Sequence, residues 1–154
     1  LAKGVSTVCY MIVLSTSSPE DLTQYNSNLL SFEAKLPGLA EENELNLPHR
    51  WFVGSKDGCS CAFRHLHASA VELGFSDPEE WYPEEQDDID ATKQFYEVVS
   101  KLVYDGYSVD CVDAWDHQEG KSSLSGTEVV SIKAVKSTEF RFFENYKFTF
   151  DAVS

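Results

Sequence analysis

The chain has 154 residues, with 12 Lys and Arg against 26 Asp and Glu, and a formal net charge of −14 at pH 7. This excess of acid argues against nucleic-acid partners, because affinity for phosphates depends on cations, and against docking on anionic membranes. Hydrophobic residues make up 42% of the chain, enough for a packed core. We therefore expect one domain over residues 1–154, with no apolar run of the roughly 20 residues that a membrane span needs.

The first predicted element is a strand from Val8 to Ser15. Its residues are apolar on both faces, which is typical of a strand that is covered on both sides. We expect this segment to be a central strand of a sheet rather than part of a secretory signal.

A helix is predicted to follow this strand. Ser18 can cap it, Pro19 suits its first position, and acidic residues occupy its first turn. Apolar residues at helical spacing then form one stripe: Leu22, Tyr25, Leu29 and Phe32. Pro37-Gly38 would end the helix, and the polar residues 39–50 predict a loop.

The stretch from Trp51 to His65 predicts a β-hairpin. Residues 51–53 favour a strand, and Asp57-Gly58 is a strong turn dipeptide because glycine adopts positive φ without steric cost. Residues 59–65 then alternate, so one face of the second strand would carry Cys59, Cys61, Phe63 and His65.

The second half of the chain predicts one helix and three strands. Asp87 or Asp88 can cap a helix that runs to Asp105, and Gly106 follows it where a C′ glycine belongs. Residues 108–115 read as a strand, and residues 127–135 and 138–150 as a closing hairpin with an aromatic inner face. The order β-α-β-β-α-β-β-β predicts an α+β fold of the ferredoxin-like, split-βαβ type, with a mixed or antiparallel sheet, two main helices and an additional C-terminal β-hairpin.

The close cysteine pair supports two interpretations. Cys59 and Cys61 would face the same environment, either as a metal pair or reactive dithiol, or as small buried hydrophobic residues. In this fold Cys9 could lie near that pair or near Cys111. We expect reduced thiols and a cytoplasmic location, since a chain of this size does not need disulfides.

Histidines and charged residues near the pair complete the first candidate site. Zinc prefers thiolate and imidazole ligands, and a reactive thiol needs an electropositive neighbourhood. The candidates for ligand, base or neighbouring cation are His49, Arg64, His65 and His67.

A second candidate cluster lies at the end of the strand over residues 108–115. Asp113, Asp116 and His117 could bind a divalent cation or transfer protons. Their spacing alternates between strand faces, so solvated positions at a strand end are the alternative.

These observations favour a small protein without catalytic activity that binds a ligand or another protein. A homodimer formed through the sheet is one expected form of such a module. The alternative is a small thiol- or metal-dependent enzyme, or a metal-binding protein, that uses the predicted hairpin and its histidines. No cofactor is expected under the first hypothesis, and zinc is the metal considered under the second.

Overall fold

A six-stranded sheet with one long helix on one face organises the chain. This computed structural model describes residues 9–115 and 124–153. Its elements are β1 (Tyr10–Thr16), β2 (Leu30–Glu33), β3 (His49–Ser55), β4 (His65–Leu66), α1 (Gln86–Tyr104), β5 (Val109–Trp115), β6 (Gly126–Ser131), β7 (Phe142–Phe143) and β8 (Tyr146–Asp151). The fold is therefore mixed α+β, and no helix among the described residues is long and apolar enough to cross a membrane.

The sheet is mixed, with the strand order β2-β3-β1-β5-β8-β6. β1 runs antiparallel to both of its neighbours, so that Ile12 lies opposite Val53 on β3 and Asp113 on β5. The prediction of a central first strand is therefore confirmed. Strands β4 and β7 form a separate parallel pair.

The helix α1 covers one face of the sheet. Its apolar residues pack on an aromatic core, in which the ring centroids of Tyr96 and Phe140 lie 4.9 Å apart and those of Phe95 and Phe142 lie 5.1 Å apart. The helix was predicted over nearly the same residues. Its N-cap is Glu85, not Asp87 or Asp88, which instead lie in the acidic first turn.

The opposite face of β1 and β5 is also covered. Val13 and Val112 pack there against Leu39 and Leu45, which flank a short 3₁₀ helix over Ala40–Glu44. Because both faces of the central strands are buried, β1 is apolar on both sides.

The prediction of a helix between β1 and β3 is wrong. Residues 22–25 form a single 3₁₀ turn that Asp21 caps, and residues 30–33 form the edge strand β2. The reason is a turn at Asn26, whose side chain accepts a hydrogen bond from the backbone N–H of Phe32 at 2.7 Å. This turn lets β2 pair with β3 and leaves α1 as the one main helix of the described residues.

The hairpin predicted over residues 51–65 is only half present. β3 and the turn at Gly58, with a φ of 87°, are as expected. Residues 59–64 form no strand, and only His65 and Leu66 extend, pairing with β7. The loop instead bonds to the start of β1, which satisfies backbone groups that a hairpin ladder would have used.

The prediction of a C-terminal hairpin is also wrong, because β6 and β8 run parallel to one another. The residues between them cross over the sheet and contribute β7, which pairs with β4. With one main helix and this strand order, the ferredoxin-like arrangement is not confirmed.

Candidate functional site

A short loop after β3 forms the base of the candidate site. The backbone N–H of Ser55 donates to the carbonyl of Cys59 at 2.7 Å and closes the loop. Ser60 then bonds to β1 twice: its N–H donates to the Tyr10 carbonyl at 2.9 Å, and its hydroxyl accepts from the Ile12 N–H at 2.8 Å. These bonds hold the loop against the first residues of β1.

Three cysteines converge where this loop meets β1, and we call them the thiol cluster: Cys9, Cys59 and Cys61. Their Sγ atoms all lie within 4.8 Å of one another, and all three residues are half-buried. The backbone N–H of Tyr10 also donates to Cys61 Sγ at 3.3 Å. Among residues 9–115 and 124–153, no other set of three His, Cys, Asp or Glu residues brings its ligand atoms so close together.

The thiol cluster lies in an environment that favours protonated thiols. Burial, together with the neighbouring Cys59 and Cys9, raises the pKa of Cys61 to about 12, against a partial opposing effect of the Tyr10 hydrogen bond. Cys111 lies apart, fully buried on β5 between Leu14 and Phe148. Burial also raises the pKa of this fourth thiol.

His65 forms a buried pair with Asp113. Its Nδ1 lies 2.9 Å from Asp113 Oδ2, and its Nε2 lies 2.7 Å from the carbonyl oxygen of Ser60. Because both ring nitrogens face acceptors, the protonated ring can donate a hydrogen bond from each of them. Burial alone would lower the pKa of His65, but the charge and hydrogen bond of Asp113 outweigh it and raise that pKa. Burial raises the pKa of Asp113 as well.

Tyr10 connects this pair to a second histidine. Its ring stacks on that of His65 with centroids 4.2 Å apart. Its hydroxyl donates to Glu144 Oε1 at 2.8 Å and lies 3.2 Å from His67 Nδ1. Burial, followed by the hydrogen bond and charge of Glu144, raises the pKa of Tyr10. The His67 side chain is 71% exposed, so this end of the network reaches solvent.

Arg64 is committed to a structural ion pair. Its Nε and Nη2 bind the two carboxylate oxygens of Glu84 at 2.8 and 2.9 Å, and both side chains are buried. Its remaining donors bind carbonyl oxygens of Ser76, Thr138 and Phe140. The guanidinium therefore holds the segment before α1 in place and does not serve as a free cation for the thiols.

A cleft of about 290 Å³ opens beside the thiol cluster. Its lining includes Cys61, Tyr10 and His67, together with Glu85 and Asp88 at the start of α1. Burial and the charge of Glu85, partly offset by Lys56 and His65, raise the pKa of Asp88. The start of α1 thus brings two carboxylates into the cleft.

The structure separates His49 from the thiol cluster. His49 begins β3 opposite Thr16, at the far end of β1 from Tyr10. At about 3.3 Å per strand residue, this places it roughly 20 Å away. Asp116 and His117 lie outside the described residues.

Sequence patterns did not single out Tyr10, Ser60 or Glu144 as site residues. Glu144 did carry a signal, because it is a carboxylate within an otherwise aromatic strand face. Ser60 and Tyr10 carried none, since their roles depend on how the loop docks on β1.

No protein-family model, curated protein or solved structure matches the chain. Function is therefore inferred from the geometry of the site.

Proposed function

We propose that this protein is a non-catalytic metal-binding module that holds one thiophilic ion, zinc in the first instance, at the thiol cluster. The observation that carries the proposal is the convergence of three Sγ atoms within 4.8 Å of one another. Two come from one loop and the third from the segment before β1. Zinc and Cu(I) are the ions that thiolate ligands select.

The spacing of the three sulfurs fits such an ion after a small contraction. A Zn–S bond is about 2.3 Å, so two thiolates of a tetrahedral site lie about 3.8 Å apart. The sulfurs therefore need to approach one another by about 1 Å at most. A loop side chain can supply this movement by a change of rotamer, while Ser60 keeps the backbone fixed on β1.

Charge also favours a cation at this place. The chain carries a formal net charge of −14, which raises the local concentration of cations near its surface. A divalent ion would displace the thiol protons and relieve the repulsion that three adjacent thiolates would otherwise feel.

Two features argue against the alternative of thiol catalysis. A nucleophilic cysteine needs a lowered pKa, whereas burial raises that of Cys61 to about 12. His65, which lines the same cleft as Cys61, has both nitrogens engaged by Asp113 and Ser60 and so offers no acceptor for a thiol proton.

The experiment is a zinc titration of chelator-free protein, followed by native mass spectrometry and a competition assay with a chromogenic chelator. We expect one ion per chain. The single variants Cys9→Ser, Cys59→Ser and Cys61→Ser should each bind zinc at least about 100-fold more weakly, because even loss of a group that supports a ligand costs 10–100-fold. Cys111→Ser is the matched control and should bind like the wild type, since Cys111 is not part of the cluster.

Wild-type protein that stays free of metal at micromolar zinc, or cluster variants that bind as tightly as the control, would contradict the proposal. A preference for Cu(I) over zinc would leave the thiol cluster as the binding site and make Cu(I) the ion that it holds. A cytoplasmic location and a homodimer formed through the sheet remain predictions, the second of which sedimentation equilibrium can test.

A further inference from the structure

Three protein ligands leave a zinc-type ion one ligand short. Tetrahedral structural sites use four protein ligands, whereas sites with three keep a position for an outside molecule. Among the described residues only Cys9, Cys59 and Cys61 bring ligand atoms within reach of one ion. The identity of the fourth ligand therefore decides whether the site is closed or open.

The cleft offers a route to that fourth position. Cys61 belongs both to the thiol cluster and to the wall of the 290 Å³ cleft, which is large enough for a molecule of several heavy atoms. Its neighbours in the cleft, His65 and Arg64, are already engaged by Asp113 and Glu84. The side chains that remain to contact a ligand are the exposed His67, aromatic rings such as Tyr10 and Tyr82, and the carboxylates of Glu85 and Asp88.

We propose that the ion at the thiol cluster keeps one coordination position open to the cleft and takes there a small organic molecule with a soft donor atom and a positively charged group. This inference rests on the proposed function. The soft donor follows from the thiolate ligands, because an ion in such a site prefers a further sulfur. The positive group follows from the acidic and aromatic walls, which attract a cation and repel an anion. A thiol ligand would lose its proton to solvent and displace a bound water as the metal–sulfur bond forms.

Cobalt(II) can replace zinc and report on its ligands through visible absorption. Cobalt-loaded protein is titrated with three two-carbon thiols that differ in the head group: thiocholine, which is cationic, 2-mercaptoethanol, which is neutral, and 2-mercaptoethanesulfonate, which is anionic. We expect each thiol that binds to change the cobalt spectrum, and thiocholine to bind most tightly.

A charge variant separates the effect of the cleft from the intrinsic acidity of each thiol. The double variant Glu85→Gln with Asp88→Asn removes both carboxylates from the cleft. It should lower the ratio of thiocholine affinity to sulfonate affinity about tenfold relative to the wild type. The control is Asp87→Asn with Asp90→Asn, which removes the same charge from the same helical turn outside the described lining of the cleft, and it should change the ratio less than about twofold.

The outcomes distinguish this inference from the proposed function. Bound cobalt with a spectrum that no thiol changes would overturn the open position and leave the metal-binding function intact. If the ratio of thiocholine affinity to sulfonate affinity is the same in both double variants, the cleft is not the binding site of the thiols. Failure to load cobalt or zinc at all would overturn both proposals.

Discussion

Replacing Arg64 with methionine should destabilise the protein far more than the loss of an exposed cation. The guanidinium is buried and makes both bonds of a fork to Glu84, whose side chain is only 8% exposed. Methionine fills much of the same volume but donates no hydrogen bond. The variant therefore leaves a buried carboxylate without its counter-ion.

The magnitude follows from these contacts. Removal of one partner of a buried ion pair costs about 3–5 kcal/mol, and the carbonyl groups of Ser76, Thr138 and Phe140 lose their donor at the same time. We expect the free energy of unfolding to fall by about 4–5 kcal/mol. For a domain of this size, such a loss lowers the melting temperature by roughly 8–20 °C.

Urea unfolding followed by circular dichroism measures this loss. Lys56→Met is the matched control, since Lys56 bonds to Asp87 at the surface and this exposed pair should contribute less than about 1 kcal/mol. The double variant Arg64→Met with Glu84→Met removes the stranded charge and should recover at least about 1 kcal/mol of the loss. An Arg64→Met variant within 1 kcal/mol of the wild type, or a double variant no more stable than the single one, would refute the argument.

Three further predictions concern stability. His65→Gln should lower the free energy of unfolding more at pH 6 than at pH 9. The reason is that the pKa of His65 is raised beside Asp113, so its contribution to stability is complete below the unfolded pKa of about 6.5 and is lost as the pH rises through the folded pKa. Equal losses in urea titrations at both pH values would contradict this. Phe140→Ala should cost about 3–5 kcal/mol in the same assay, against less than about 0.5 kcal/mol for Trp81→Ala, whose ring is 65% exposed, and similar costs would place Phe140 outside the core. Gly126→Ala would bring a Cβ within 2.8 Å of a tyrosine ring carbon on β8. The variant should lower the free energy of unfolding by about 1–3 kcal/mol, and with it the melting temperature. An unchanged melting temperature would argue against the β6–β8 register.

Elements with a strong local pattern were predictable from the sequence. The helix α1 combines a long apolar stripe, acids in its first turn and a glycine after its end, and each of these acts on the helix itself. β1 was predictable because both of its faces are apolar.

The helix that was wrongly predicted between β1 and β3 shows the limit of prediction from local patterns. Leu22 and Phe32 fit a helical stripe, yet between them lies Asn26-Ser27-Asn28, a turn-prone run that the prediction did not consider. Pairing with β3 decides the outcome for residues 30–33. That pairing is a long-range contact, which no local window contains.

The candidate site was partly predictable for the same reason. The proximity of Cys59 and Cys61 follows from their spacing, but the approach of Cys9 depends on how the loop docks on β1 through Ser60. Likewise, His65 meets Asp113 across a separation of 48 residues, a long-range contact that no local pattern contains.

The strand order also has a consequence for how the protein folds. Ile12 on β1 pairs with Val53 about 40 residues later and with Asp113 about 100 residues later. The three strands β1, β2 and β3 can therefore pair early, whereas the β1–β5 junction must close a long loop first, which predicts slow folding in the millisecond-to-second range. Until β5 arrives, β1 presents an apolar edge with unpaired backbone groups, and the half-formed sheet is the state most prone to aggregate.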